Sequence, residues 1–331
     1  MTTETEMLET GNARAMEAQR AAFLDEVLTG LALPQKTISS RWLYDDAGSE
    51  LFEEITDLPE YYPTRTETGI LRDSIGEIAQ FCGPDAVVIE YGAGASVKSE
   101  LLLAGLKNPR LFVPIDIAGD FLALSAERLN ERFPDLGVWP VTADFTSNFD
   151  LPDGLPRDCR RVGFFPGSTI GNLAPAEAVR FLARVKRHVS DTSAPHAKGH
   201  AIIGIDLVKP LDVLIPAYDD AQGITAAFNL NLLKRINREL DGTFDLNGFA
   251  HEARWNAEQS AIEMHIRSLH AQDASVSGRG FTFAAGETIH TESSRKYTLD
   301  MFRDIANEAG WELAGVWTDK DNLFAVTGLA L

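Results

Sequence analysis

The chain has 331 residues, 44% hydrophobic and 24% charged, an ordinary globular composition with room for one large domain or two modest ones. Its 49 acidic residues outnumber 30 basic ones, and a formal charge of −19 opposes binding to a nucleic-acid backbone. It offers no run of about 18 apolar residues for a membrane helix, no basic, apolar leader in MTTETEMLET, and no metal or CxxC spacing in Cys82 and Cys159. A cytoplasmic protein without a metal, a membrane or a nucleic-acid partner is therefore expected.

Residues 1–15 are polar and expected to be flexible. From Glu17 to Leu31, Ala21, Phe23, Leu24, Val27 and Leu28 recur at helical spacing. The stretch from Ser40 to Ile70 is dense in aromatics and follows neither helix nor strand periodicity. After about residue 70 the rhythm alternates. Ala86–Tyr91 reads as a short buried strand, followed by a glycine turn and a helix over Ser96–Gly105. Arg110–Asp116 is a second strand, with a helix following through Arg132, and Gly137–Thr142 is a third strand. Arg161–Phe165 is a fourth, followed by a helix over Ala174–Val189, and Ala201–Leu207 is a fifth. Strands separated by helices predict a doubly wound, mainly parallel sheet.

That pattern then stops. Residues 207–270 carry a helix over Gly223–Leu240 and strand-like pieces at Ala250–Trp255 and Ala261–Ser268. Leu299–Ala309 and Leu323–Leu329 read as a return to the first sheet. The expected division is a sheet domain of residues 64–206 plus 297–331, and a second, smaller α+β lobe of residues 16–63 plus 207–296.

The turn Glu90-Tyr91-Gly92-Ala93-Gly94-Ala95-Ser96 lets the backbone approach a ligand closely, because glycine has no Cβ. A dinucleotide fingerprint wants G-x-G-x-x-G, and a P-loop wants G-x-x-x-x-G-K-[ST]. Both fail here at Val97, which weakens an NAD(P)-dependent oxidoreductase and a P-loop NTPase alike. S-adenosylmethionine has no pyrophosphate and asks for less. It needs clearance along the turn, a carboxylate for the ribose hydroxyls and an acceptor for the adenine amino group. Asp116 ends the second strand, 24 residues after Gly92, where the first would lie; Asp144 follows the third strand, beside Phe145, which would flank the adenine ring. Each acid alone also reads as a turn or cap residue, and Lys98 reads equally well as a surface helix residue or as a partner of the donor's carboxylate. Together they favour S-adenosylmethionine over the other two ligands.

A longer pattern is more specific. Tyr44-Asp45-Asp46-Ala47-Gly48-Ser49-Glu50-Leu51-Phe52-Glu53-Glu54-Ile55-Thr56 continues into Leu58-Pro59-Glu60-Tyr61-Tyr62-Pro63-Thr64-Arg65-Thr66-Glu67. Further blocks follow in order: Glu90–Ser99, Phe165–Asn172, Tyr218-Asp219-Asp220, Phe228-Asn229, Asn237–Leu240, Trp255-Asn256, Glu263-Met264 and Thr291–Tyr297. Spanning nearly the whole chain, they resemble the histidine-specific methyltransferase family.

The resemblance implies a Rossmann-like class I methyltransferase sheet domain, with the smaller lobe binding substrate. It implies transfer of three methyl groups from S-adenosylmethionine to the α-amino nitrogen of L-histidine, giving hercynine on the way to ergothioneine. Carried over by position, Asn172 and Tyr218 hold the amino-acid end of the substrate, in the neighbourhood of Gly167. Tyr44 lies towards the amine and the donor, and Tyr61 towards the ring. Glu292 and Ser294 grip the imidazole, with Phe52 and Met264 as apolar walls. Tyr44 and Asn172 orient the amine, and no residue is assigned as a base. On the donor side the resemblance supports Gly92, Lys98, Asp116, Asp144 and Phe145. A monomer is expected. Relatives that methylate tryptophan-derived compounds are the competing substrate class. Without the resemblance, Thr291–Ser294 reads more simply as a polar loop.

Overall fold

The computed structural model describes residues 17–93, 97–117, 119–190 and 198–331. The flexible N-terminus expected over residues 1–15 and the centre of the glycine turn, residues 94–96, lie outside that set. The chain divides into two compact units: Tyr62–Lys209 with Ser294–Leu331, and the chain up to Tyr61 with Pro210–Ser293.

The first unit is built on an eight-stranded sheet. Its strands are β1 (Val87–Tyr91), β2 (Leu111–Asp116), β3 (Gly137–Val138), β4 (Val141–Thr142), β5 (Arg161–Phe165), β6 (His200–Asp206), β7 (Glu312–Thr318) and β8 (Phe324–Ala330). The order is β7-β8-β6-β5-β1-β2-β3, and β4 also pairs with β2. Pairing is parallel throughout β1–β6, whereas β8 runs antiparallel to both β6 and β7. Every residue of β1 and of β5 is buried, as central parallel strands covered on both faces require.

Alternate residues of β1 serve different cores. Val87, Ile89 and Tyr91 join Val113, Ile115, Phe165 and Phe181 on one face. Val88 joins Ile70, Leu71, Phe112 and Phe164 on the other. Helices α1 (Tyr62–Cys82), α2 (Val97–Gly105), α3 (Gly119–Arg132), α4 (Pro175–Ser190) and α5 (Leu299–Glu308) complete this unit.

The doubly wound sheet is the one expected, with three differences in detail. The third predicted strand is two short strands, because Pro140 between them has no N–H to give the ladder. Strand β7 was not expected; its residues alternate between exposed and half-buried, and a register shift at Leu313/Gly315 interrupts it. The aromatic stretch from Ser40 to Ile70 holds two helices rather than irregular chain. Asp45 caps the first, Asp46–Asp57, by accepting a hydrogen bond from the Gly48 N–H at 2.9 Å, and Pro63 occupies the first turn of α1.

A buried histidine stiffens the core behind β1. His188 Nε2 lies 3.2 Å from the Phe149 carbonyl, which only accepts, so this nitrogen carries the proton. Nδ1 then accepts from the Tyr91 hydroxyl at 3.0 Å. Burial, with help from Arg187 and Arg184, holds the His188 pKa down at about 4. A base depressed in the folded state adds stability above its ordinary pKa of about 6.5, and that stability drains away as the pH falls towards 4. Between pH 7 and 4.5 we expect this group alone to cost about 2 kcal/mol. Urea titrations of wild type and His188→Gln check it, since the variant should have a shallower acid slope.

The second unit has a four-stranded sheet in the order Lys36–Thr37, Thr288–Arg295, Ala261–Ser268, Phe249–Asn256. A separate hairpin, Gln272–Val276 with Arg279–Phe283, turns at Ser277-Gly278, both at positive φ as a tight two-residue turn demands. Helices at residues 17–30, Asp46–Asp57 and Ile224–Glu239 accompany the sheet. The stretch Thr291–Ser294, which reads as a loop by composition, is strand.

Candidate active site

In the sheet unit the chain moves outward from β1 to β2 and β3, then returns to the other side at β5. The strand order therefore reverses between β1 and β5, and ligands of open α/β sheets bind outside the carboxyl ends of strands at such a point. The donor residues expected from sequence lie there. Gly92 follows β1 with φ +72°, its N–H donating to the Ile115 carbonyl at 2.8 Å. A Cβ on Gly92 would stand 3.2 Å from the Phe145 ring, so glycine admits that ring beside the turn. Phe145 is itself held edge-on against Phe165, with centroids 5.4 Å apart.

Asp116 ends β2 opposite Thr142 of β4, and its carbonyl accepts from the Ala143 N–H at 3.0 Å. Asp144 lies two residues beyond Thr142. Its Oδ1 accepts from the Thr146 N–H at 2.8 Å and the Thr146 hydroxyl at 2.6 Å, so it shapes its own turn. Gly92, the Phe145 ring and the two acids thus gather beyond the carboxyl ends of the parallel strands. Lys98, in the first turn of α2, pairs with Glu67 at 2.5 Å.

One strand-end acid was not selected from sequence. Glu90 is 3% exposed in β1, and its Oε2 accepts from the Ser99 hydroxyl at 2.5 Å. Burial pushes its carboxyl up to about 8, and the negative charges of Asp116 and Glu67 add to the rise, against Ser99 and Lys98. Its place immediately before the glycine turn was the available signal.

The turn after β5 carries Gly167 and Asn172. Gly167 has φ +82°, and its N–H donates to Glu67. Thr169–Asn172 forms a short 3-10 helix, with Ser168 before it in the left-handed region. This helix is braced by the Ser294–Tyr297 segment of the same unit. A Cβ on Gly171 would stand 2.8 Å from the Arg295 carbonyl oxygen, and the Tyr297 hydroxyl donates to the Ile170 carbonyl at 3.2 Å. Ser294 accepts from the fully buried Lys296 ammonium at 2.9 Å. Lys296 also pairs with Asp206 at 2.7 Å, and Asp206 further accepts from the Tyr62 hydroxyl and from Lys209. Two ammoniums hold the Asp206 carboxyl below the usual carboxylate range despite its burial. Asn172 and Ser294 thus stand on one braced frame.

The second unit gathers the aromatic residues. Tyr44 packs edge-on against Phe52 at 5.5 Å and against Phe228 at 5.4 Å. Phe52 meets Tyr61 at 6.2 Å, and Tyr61 meets Tyr218 at 6.3 Å. Residues of three separate chain segments therefore form one ring cluster. Glu292 belongs to the same neighbourhood: crowding of the Tyr44 hydroxyl and, next, the Glu292 charge hold this phenol above its ordinary pKa, although 41% of the residue's surface is exposed. Tyr44 is therefore a phenol at neutral pH, able to donate a hydrogen bond and unsuited to act as a base.

Met264 is 2% exposed on the neighbouring strand, where its carbonyl accepts from the Thr291 hydroxyl at 3.0 Å. Asn229 completes that support, accepting from the Thr291 hydroxyl at 2.6 Å and donating to the His265 carbonyl at 3.0 Å. Because Thr288–Arg295 is a strand, Glu292 and Ser294 project from one of its faces. Phe228 was not singled out from sequence as a pocket residue. Its cues were the resemblance block Phe228-Asn229 and its place on the buried side of a helix.

Among the described residues, no group of three or more His, Cys, Asp or Glu side chains is arranged to hold a metal ion, and no helix is long and apolar enough to cross a membrane. Comparison with known proteins agrees with the geometry. Residues 23–331 match the family described as "Histidine-specific methyltransferase, SAM-dependent". The chain is 38% identical over 325 residues to the histidine N-alpha-methyltransferase of Mycolicibacterium smegmatis, covering 97% of this chain and 98% of that one. It is 37% identical to the histidine N-alpha-methyltransferase of Mycobacterium tuberculosis, covering 94% and 95% of the two chains. The ergothioneine biosynthesis protein 1 of Neurospora crassa is 26% identical over 94% of this chain, a match that spans 36% of the longer fungal protein. With its Rossmann-like sheet, its strand-end acids and this near full-length match, the chain belongs to the S-adenosylmethionine-dependent, histidine-specific methyltransferase family.

Proposed function

We propose that the chain transfers methyl groups from S-adenosylmethionine to the α-amino nitrogen of L-histidine three times, giving hercynine, the first step towards ergothioneine. The observation that carries this reading is the ring cluster of Tyr44, Phe52, Tyr61, Tyr218 and Phe228, with Glu292 as the charged group in its neighbourhood. A buried carboxylate in aromatic surroundings suits a ring that carries an N–H, and it penalises a ring that carries none.

In this reading Glu292 and Ser294 bind the imidazole nitrogens, with Met264 and Phe52 as apolar walls and Tyr61 towards the ring. Asn172, Tyr218 and the Gly167 turn hold the amino-acid end. Gly92, Lys98, Asp116, Asp144, Phe145 and Tyr44 hold the donor. When bound, S-adenosylmethionine supplies an already electrophilic sulfonium methyl. The chain's task is then alignment and exclusion of water. An ammonium has no lone pair, so the amine must arrive deprotonated. Tyr44 stays a neutral phenol whose oxygen accepts from an amine N–H, which orients the amine and leaves the nitrogen lone pair free for the methyl, and solvent takes the proton. The successive products are cations of growing apolar surface, which the aromatic faces favour by cation–π attraction. The enzyme acts as a monomer on a free amino acid in the cytoplasm.

The test is a product-mass assay with S-adenosylmethionine and, separately, histidine, its N-methylated forms and tryptophan. Gains of one, two and three methyl units on histidine are expected, with the partly methylated forms carried to the same end point. Preferential methylation of tryptophan, or none of histidine, overturns the assignment.

A further inference from the structure

Glu67 has no part in the reading above, yet it lies at the centre of the strand-end network. Its side chain, on α1, is 1% exposed. One oxygen accepts from Lys98 Nζ at 2.5 Å, and the two oxygens lie 2.8 and 3.0 Å from the Gly167 N–H. The sheet makes room for it. A Cβ on Gly204, inside β6, would stand 2.1 Å from Glu67 Oε1, so glycine at that strand position is what lets the carboxylate in. Lys98 also approaches the turn directly, since a Cβ on Gly167 would be 3.7 Å from its Nζ.

Lys98 lies on the helix that follows β1, and Gly167 on the turn that follows β5. These two strands are neighbours where the strand order reverses. One buried carboxylate therefore ties a residue of the donor side to the turn leading into Asn172. We propose that Glu67 is a positioning residue that couples occupancy of the donor site to affinity for the amino acid, an inference that rests on the function proposed above.

The coupling follows from competition for Lys98. The donor's α-carboxylate and Glu67 both attract the same ammonium. As a bound donor takes its share, Glu67 relies more on the Gly167 N–H and holds that turn more firmly. Ordering the turn in advance removes part of what the amino acid would otherwise spend on binding.

Calorimetry with S-adenosylhomocysteine and L-histidine tests this. In wild type, histidine should bind about tenfold more tightly when S-adenosylhomocysteine is saturating. In Glu67→Gln that ratio should fall to within about twofold of one, while affinity for S-adenosylhomocysteine is kept or rises slightly, because Lys98 has lost a competing charge. Gly204→Ala, which displaces Glu67 without altering Lys98 or Gly167, should lose the same coupling. A purely structural role predicts instead that both affinities fall in parallel with the ratio unchanged, and that result overturns the inference. So does a wild type that binds both ligands with no coupling. A wild type that does not bind histidine at all refutes the proposed function itself, which keeps the two failures distinct.

Discussion

Replacing Glu292 by alanine should raise the KM for histidine about a hundredfold while leaving donor affinity within about twofold. Glu292 is 9% exposed and is carried on a strand, so its position is set by the ladder rather than by a mobile loop. Its charge adds to the burial that holds the Tyr44 phenol above its ordinary pKa. In the alanine variant an imidazole N–H would enter the pocket without an acceptor. A hydrogen bond to a charged partner contributes about 1.5–3 kcal/mol, which corresponds to about ten- to a hundredfold in affinity. The upper end applies here because the unpaired donor is also desolvated. Glu292→Gln keeps the shape and one acceptor oxygen, so its KM should rise only about tenfold. Steady-state kinetics in histidine, with donor affinity measured separately, decide the matter. An unchanged histidine KM would sink the pocket assignment, and a parallel loss of donor affinity would point to general damage.

The fold was legible where burial is periodic. Val87–Tyr91 and Arg161–Phe165 are short apolar runs because both their faces are covered, and such runs between helical stretches allow few topologies. What escaped were elements at a sheet edge, or ones in which core residues are interleaved with residues that serve something else. Strand β7 sits at the sheet edge with every second residue exposed, so its alternation is shallow. The helices of Asp46–Asp57 and Tyr62–Cys82 hold aromatic and charged residues that serve neighbours far along the chain. Phe52 packs in the ring cluster, and Glu67 binds Lys98 and Gly167. Residues placed for a site disturb the apolar stripe by which a helix is recognised.

The site divides in the same way. Gly92 and Asp116 could be placed from strand ends alone, because a parallel sheet puts its ligand there whatever the sequence between. Glu292 and Ser294 could not. Composition made their segment a polar loop, and only its place in the strand Thr288–Arg295 sends both side chains to one face. Phe228 and Glu67 lay inside the family blocks but carried no role there. Their importance lies in contacts across more than 60 positions of chain, Phe228 with Tyr44 and Glu67 with Gly167, which no local window contains.

Asp116→Ala should weaken S-adenosylmethionine binding about thirtyfold and leave kcat at saturating donor within about threefold. The carboxylate stands at the end of β2, where we propose that it accepts from the ribose hydroxyls, a part of the donor that does not react. An interaction made equally in ground and transition states changes the concentration needed to fill the site and not the rate once it is filled. The substitution should leave a second mark. The charge of Asp116 helps hold the Glu90 carboxyl up at about 8. An acid raised in the folded state binds its proton more tightly there than in the unfolded chain. The donor-free protein therefore loses stability from this group as the pH rises from about 4.5 to about 8. Removing the like charge lowers the folded-state pKa of Glu90 and makes that decline shallower. Donor titration by calorimetry, with urea unfolding at pH 5 and 8, reads both effects. Unaltered donor affinity would remove Asp116 from the ribose, and a large fall in kcat at saturating donor would place it near the transferred methyl instead.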